Sequence, residues 1–251
     1  MVCLVFTAGC GGVAIDTDSQ PSEPFDAPPG VEASGLTDPT ALTSAHGTTL
    51  SNQSYTTTQT TTVTFDNGTV YAERVQNATV ASGDHYLLVS EERGSRTPVG
   101  YGSRVGFYAD NETTRQLVVS WDGTRTVREE PLGFVGEDDP FEGLPRQRDL
   151  GRENTVYQLL ASAETRTVEP QSEDRRYRID VDNATPTTRP FVADAGPANA
   201  TLHVTPDGVV TELVVGYEAT VNGEPVQVRR VVRYDEIGTA TVERPEWVEI
   251  E

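Results

Sequence analysis

The side chains able to do chemistry are few. Three histidines, His46, His85 and His203, stand far apart in a chain of 251 residues, and none falls at the spacing that a metal-binding pair needs. His46 lies in a helical pattern and reads as a surface or internally satisfied residue. His85 and His203 lie in strand patterns, where either could belong to a pocket. There is no Gly-x-Ser-x-Gly elbow and no glycine-rich phosphate loop. Nothing in the residue types therefore points to an enzyme, a cofactor or a metal. The run "EDDP" at 137–140 could hold a cation weakly, and in so acidic a chain it reads more simply as a solvated loop. Six Asn-x-Ser/Thr sequons occur, at Asn52, Asn67, Asn77, Asn111, Asn183 and Asn199. Asn67 and Asn111 fall in predicted turns, where a glycan fits best.

The two cysteines, Cys3 and Cys10, both sit near the start. "MVCLVFTAG" is uncharged and mostly apolar and ends in small residues, as does the last part of an export signal. A full signal runs ~15–30 residues with a positive n-region, so an upstream in-frame extension bearing Arg is expected. "TAGC" resembles the lipobox of secreted lipoproteins, with Thr7 where Leu is commonest. That resemblance implies cleavage before Cys10, lipid on the Cys10 sulfur, loss of Cys3, and no disulfide in the mature chain. The stretch after Cys10 is rich in Gly, Pro, Ser and Asp without hydrophobic period, which reads as a flexible tether. The chain divides into a signal remnant at 1–9, a lipobox cysteine and tether at 10–35, and a domain at 36–251. The implied location is extracellular, lipid-anchored on the outer face of the cytoplasmic membrane.

Composition narrows the partners. There are 39 Asp and Glu against 19 basic residues, a formal net charge of −20; every basic residue is Arg and none is Lys. Without a basic patch to neutralise phosphates, the surface is unsuited to nucleic acid. The acids are spread along the chain, a pattern suited to molar salt, where the Debye length shrinks to about 3 Å and self-repulsion is quenched. No later run approaches the ~20 apolar residues that span a bilayer.

The elements that would position a site follow from periodicity. "LTDPTALTSAHGTTLSN" opens with Asp38 as cap and Pro39 at the first helical position, and predicts a helix over about 38–51. From Tyr55 the period becomes two, and strands are predicted at Tyr55–Phe65, Thr69–Gln76, Asp84–Glu91, Arg104–Asp110, Arg115–Trp121 and Thr124–Glu129. "ENTVYQLLASAE" puts Val156, Leu159, Leu160 and Ala163 on one helical face, with Asn154 as a possible cap. In the last third, Tyr177, Ile179 and Val181 alternate on one face of a strand. Three more strands follow, joined by turns at Asp207-Gly208 and Asn222-Gly223. In the middle one Leu213, Val215 and Tyr217 share one parity, facing either a core or a ligand. The fold class is α+β: about nine or ten antiparallel strands in a curved sheet, with two helices covering it.

This order of elements resembles the LolA-like lipoprotein carriers. The stretches that carry the likeness are "GLTDPTALTSAHGTTLSNQSYT", "VTPDGVVTELVVGY" and "VRYDEIGTATVERPEWV"; the first and last are also similar to a group of haloarchaeal surface lipoproteins. The resemblance implies a half-barrel whose hollow face and helical lid hold acyl chains. Tyr177, Ile179, Val181, Leu213, Val215 and Tyr217 are then the candidate ligand-facing residues, and a lipid or other hydrophobic small molecule the expected partner. The alternative is a non-enzymatic interaction or structural module in which the same stripe is filled core. An empty apolar cavity would separate the two.

Overall fold

The structure, a computed structural model, describes residues 27–32, 34–94, 102–131, 153–171, 176–186 and 192–249. Cys10 and the "EDDP" run lie outside them. β1 (Val31–Glu32) and β2 (Gly35–Leu36) pair as a two-stranded ribbon. Val31 and Leu36 are both buried, so Val31, near the end of the stretch read as tether, joins the first residue of the domain in the core.

Asp38 and Pro39 start a helix as expected. α1 spans Pro39–Asn52, and the Asp38 carboxylate accepts from the backbone N–H of Thr40 (2.9 Å) and Ala41 (3.0 Å). This satisfies two of the N–H groups that a helix start leaves without partners, and Pro39 has none to satisfy. Leu42, Thr43, His46 and Leu50 form its buried face. The β-branched and alternating runs then give β3 (Tyr55–Phe65), β4 (Val70–Ser82), β5 (His85–Arg93), β6 (Arg104–Asp110), β7 (Thr113–Val119) and β8 (Arg125–Pro131). α2 spans Glu153–Ser162. Because it begins at Glu153, Asn154 sits in its first turn rather than at the cap position. β9 (Thr165–Gln171), β10 (Arg176–Ala184), β11 (Ala198–Val204), β12 (Val210–Val221) and β13 (Glu224–Asp235) complete the strands. A short 3₁₀ turn at Glu246–Glu249 follows.

Eleven strands form one antiparallel sheet in the order β8-β7-β6-β5-β4-β3-β13-β12-β11-β10-β9. The expected count of nine or ten falls short because Thr165–Gln171, only seven residues with Arg, Glu and Pro among them, resembles a connector after α2. The sheet is open, with β8 and β9 as its edges. One meander runs outward from β3 to β8 and a second runs inward from β9 to β13. They meet where β13 lies along β3, from Val226 beside Phe65 to Asp235 beside Thr56. The Asn222-Gly223 hairpin has both central residues at positive φ, 52° and 81°, which is the backbone that this dipeptide favours.

α1 and α2 pack against each other, and α2 against β10. Val156, Leu159 and Leu160 of α2 are buried in the cluster that holds the apolar face of β10–β12. Arg166, on β9, reaches back to the end of α2, where its guanidinium donates to the carbonyls of Leu160, Ala161 and Ala163. It satisfies carbonyls that a helix end leaves open, where a cation also suits the helix dipole.

Candidate functional site

The six residues singled out from the sequence share one face. Register pairs Ile179 with Leu202, Leu202 with Leu213, and Val181 and Val215 both with Ala200. Burial is close to complete: Ile179 is 0 % exposed, Val181 and Leu213 1 %, and Tyr177, the most open, 7 %. All six belong to one apolar cluster with Leu42 and Leu50 of α1 and Leu159 and Leu160 of α2. Burying side chains of this size contributes roughly 1.5–3 kcal/mol each, so this part of the helix-covered face is a packed core.

Beside that core a cleft of about 650 Å³ opens between the second half of α1, the start of α2 and the β4–β5 turn. Its volume lies within the ~300–1,000 Å³ of small-molecule sites. The floor is apolar: Leu50, Tyr55 and Val80 line it, each nearly buried and each part of the core cluster. The rim is polar. Ser44, Thr48 and Ser51 lie four and three residues apart, so one stripe of α1 places all three in the lining, with the Ser51 hydroxyl donating back to the Gly47 carbonyl at 2.7 Å. Ser82 and Gly83 close the opposite side, and Glu153 and Asn154 stand at the α2 end. Gly47 brings the helices together. A Cβ placed there would come within 2.5 Å of Glu153 Oε2. A helix-interior Gly costs about 1 kcal/mol relative to Ala; here it lets the Glu153 carboxylate rest against the α1 backbone at the cleft.

Sequence reasoning did not single out these rim residues. A Ser/Thr stripe on a helix reads as its solvent face, and the contact that turns it into a rim joins residues about a hundred positions apart. It also passed over a polar half of the same face. Thr57, Gln59 and Thr61 of β3 share the parity of Tyr55 and Val63, and all three are buried. Gln59 Nε2 donates to Gln76 Oε1 at 2.9 Å, and Ser90 of β5 lies beside Gln76 in register. One row further along, Arg74 pairs with Glu92. The helix-covered face is therefore apolar over β10–β12 and polar over the centre of β3–β5.

The remaining candidates lie elsewhere. His46 is fully buried; its Nδ1 accepts from the Val210 N–H at 3.3 Å, and its ring meets Tyr234 edge-on at 5.2 Å. His85 meets Tyr108 edge-on at 6.3 Å. No group of three or more His, Cys, Asp or Glu able to hold a metal occurs among the described residues. Asn67 and Asn111 are exposed, in the β3–β4 and β6–β7 turns. The Asn67 Oδ1 accepts from the Thr69 N–H at 2.9 Å, and Asn111 takes φ 73°. Beside it, the Asp110 pKa is lowered: slight burial opposes this, and hydrogen bonds from Thr113 outweigh it. The Tyr86 pKa is raised, by burial first and then by the charge of Asp84.

Fold and cleft together define an open antiparallel-sheet module with two helices on one face and a half-polar cleft at one end of them. No protein-family model and no curated protein matches the chain. Among solved structures it is similar to LprF from Mycobacterium bovis, at 13 % identity and a TM-score of 0.43, over 82 % of this chain and 94 % of that one. It is also similar to the LolA superfamily protein NE2245 from Nitrosomonas europaea, at 7 % identity and a TM-score of 0.29, over 84 % and 96 %. Likeness this distant says nothing about the cleft, whose chemistry is set by the residues of this chain alone.

Proposed function

We infer that this chain is a non-enzymatic binding protein, tethered through Cys10 to the outer face of the cytoplasmic membrane, that takes a hydrophobic ligand at the cleft between α1, α2 and the β4–β5 turn. The observation that carries the reading is the composition of the cleft. Its floor of Leu50, Tyr55 and Val80 is the edge of the apolar core, and its rim is hydroxylic. An amphiphile with an alkyl or isoprenoid part suits such a site, because the chain leaves water against the floor while the head stays at the wet rim. The packed stripe of Tyr177, Ile179, Val181, Leu213, Val215 and Tyr217 then serves as the wall behind the floor.

A second reading has its own observation. Near-complete burial of those six residues is what a structural or interaction module with no ligand would show. Binding of an alkyl-chain fluorophore separates the two. Val80→Trp, which fills the cleft, abolishes binding on the ligand reading, and Val215→Trp, placed in the packed wall, does not remove the cleft. Equal binding by Val80→Trp and wild type, or no binding by either, favours the module.

A further inference from the structure

The cleft has a charge preference built into its rim. Among the described residues its lining holds one ionisable acid, Glu153, and no basic residue. The other polar members are hydroxyls and one amide, which bind neutral groups of either polarity. Glu153 is exposed, and the missing side chain at Gly47 leaves the space beside the α1 backbone in which its carboxylate lies, so the charge stands at the mouth of the cleft. In dilute salt the surroundings act in the same direction, since a net charge of −20 raises the local concentration of cations and lowers that of anions. We propose that the ligand carries a cationic nitrogen, an ammonium or substituted ammonium, which pairs with Glu153 while its hydrocarbon part lies on Leu50, Tyr55 and Val80. This rests on the ligand reading above and narrows it to a class: an amine-bearing amphiphile, as opposed to a phosphate or carboxylate one.

Glu153 also stands in the first turn of α2, where a carboxylate is favoured whether or not anything binds. The test therefore reads a ratio of affinities and not a stability. Decylammonium, decane-1,2-diol and decyl phosphate, as monomers, are titrated calorimetrically into the full chain. Decylammonium is expected to bind about fivefold tighter than the diol, the size of effect that one partly exposed ion pair supplies, and decyl phosphate weakest of the three. Glu153→Gln makes decylammonium and the diol equal. Gly47→Ala, which displaces the carboxylate, reduces the preference. Glu224→Gln, an exposed acid at the opposite end of the sheet, leaves it unchanged and so controls for overall charge. Equal binding of decylammonium and diol by wild type, or a preference that survives Glu153→Gln, overturns the assignment of the head group and leaves the ligand reading standing. Binding of none of the three overturns both.

Discussion

At the scale of single residues, two valines on the same sheet face separate a cleft from a core. Val80 and Val215 are 5 % and 4 % exposed, and exposure alone would treat them alike. Val80 lines the cleft and Val215 does not. A tryptophan at position 80 has about 650 Å³ of space beside it. A tryptophan at 215 must displace neighbours in a closely packed interior, which typically costs about 1–3 kcal/mol. Urea unfolding should give both variants a midpoint below wild type, with the smaller loss in Val80→Trp, because Val80 packs in the core on one side and borders the cleft on the other. Equal destabilisation of the two would mean that the cleft is not open space. The positions that alternate in sequence were legible as a face. Which of them border a void was not, because a void is set by the separation of α1 and the β4–β5 turn and no local pattern encodes that separation.

At the scale of elements, the C-terminal tail covers β6 and β7 on the reverse face of the sheet. Gly106 of β6 lies under the Trp247 ring, and a Cβ there would meet Trp247 Cζ2 at 3.1 Å. Val248 is 1 % exposed, and Arg115 of β7 donates to its carbonyl. Arg244 stands 5.9 Å from the Tyr108 ring centre and pairs with Glu249 at 2.7 Å. Trp247→Ala should therefore loosen the tail from β6 and β7 and lower stability by about 2 kcal/mol, less than the ~3–5 of a fully buried aromatic because part of the residue stays in solvent. Fluorescence separates the two tryptophans, since Trp121 is 49 % exposed. In a Trp121→Phe background, Trp247 should emit blue-shifted and shift red on unfolding; a red-shifted native spectrum would contradict the docked tail. The strap was not readable beforehand, because "EWVE" has no period and its partner Gly106 has no side chain to signal the contact. The helices and hairpins were readable, since Asp38-Pro39 and Asn222-Gly223 act within four residues. β9 was not, because tertiary pairing with β10 overrides the modest strand tendency of Thr165–Gln171.

At the scale of the whole molecule, charge and fold meet. The ion pairs between strands, such as Arg233 with Glu212 at 2.7 Å and Arg115 with Glu129 at 2.6 Å, are mostly solvent-accessible and contribute roughly 0–1 kcal/mol each. They do not offset the mutual repulsion of a −20 chain. The melting temperature should fall as salt is lowered from ~1 M to ~0.1 M, over which the Debye length grows from about 3 to about 10 Å; a melting temperature that stays level or rises on desalting counts against a fold suited to molar salt. The central claim, a tethered protein with a hydrophobic ligand in the α1–α2 cleft, is tested most directly by mass spectrometry of the full chain from its producing cells. Spectra are recorded under denaturing and then native conditions. The denaturing spectrum should carry covalent lipid mass that disappears in Cys10→Ser. The native spectrum should carry a further non-covalent mass of lipid size, present in wild type and Val215→Trp and absent in Val80→Trp. A native mass equal to the denatured mass in wild type, or the same adduct in Val80→Trp, would contradict it.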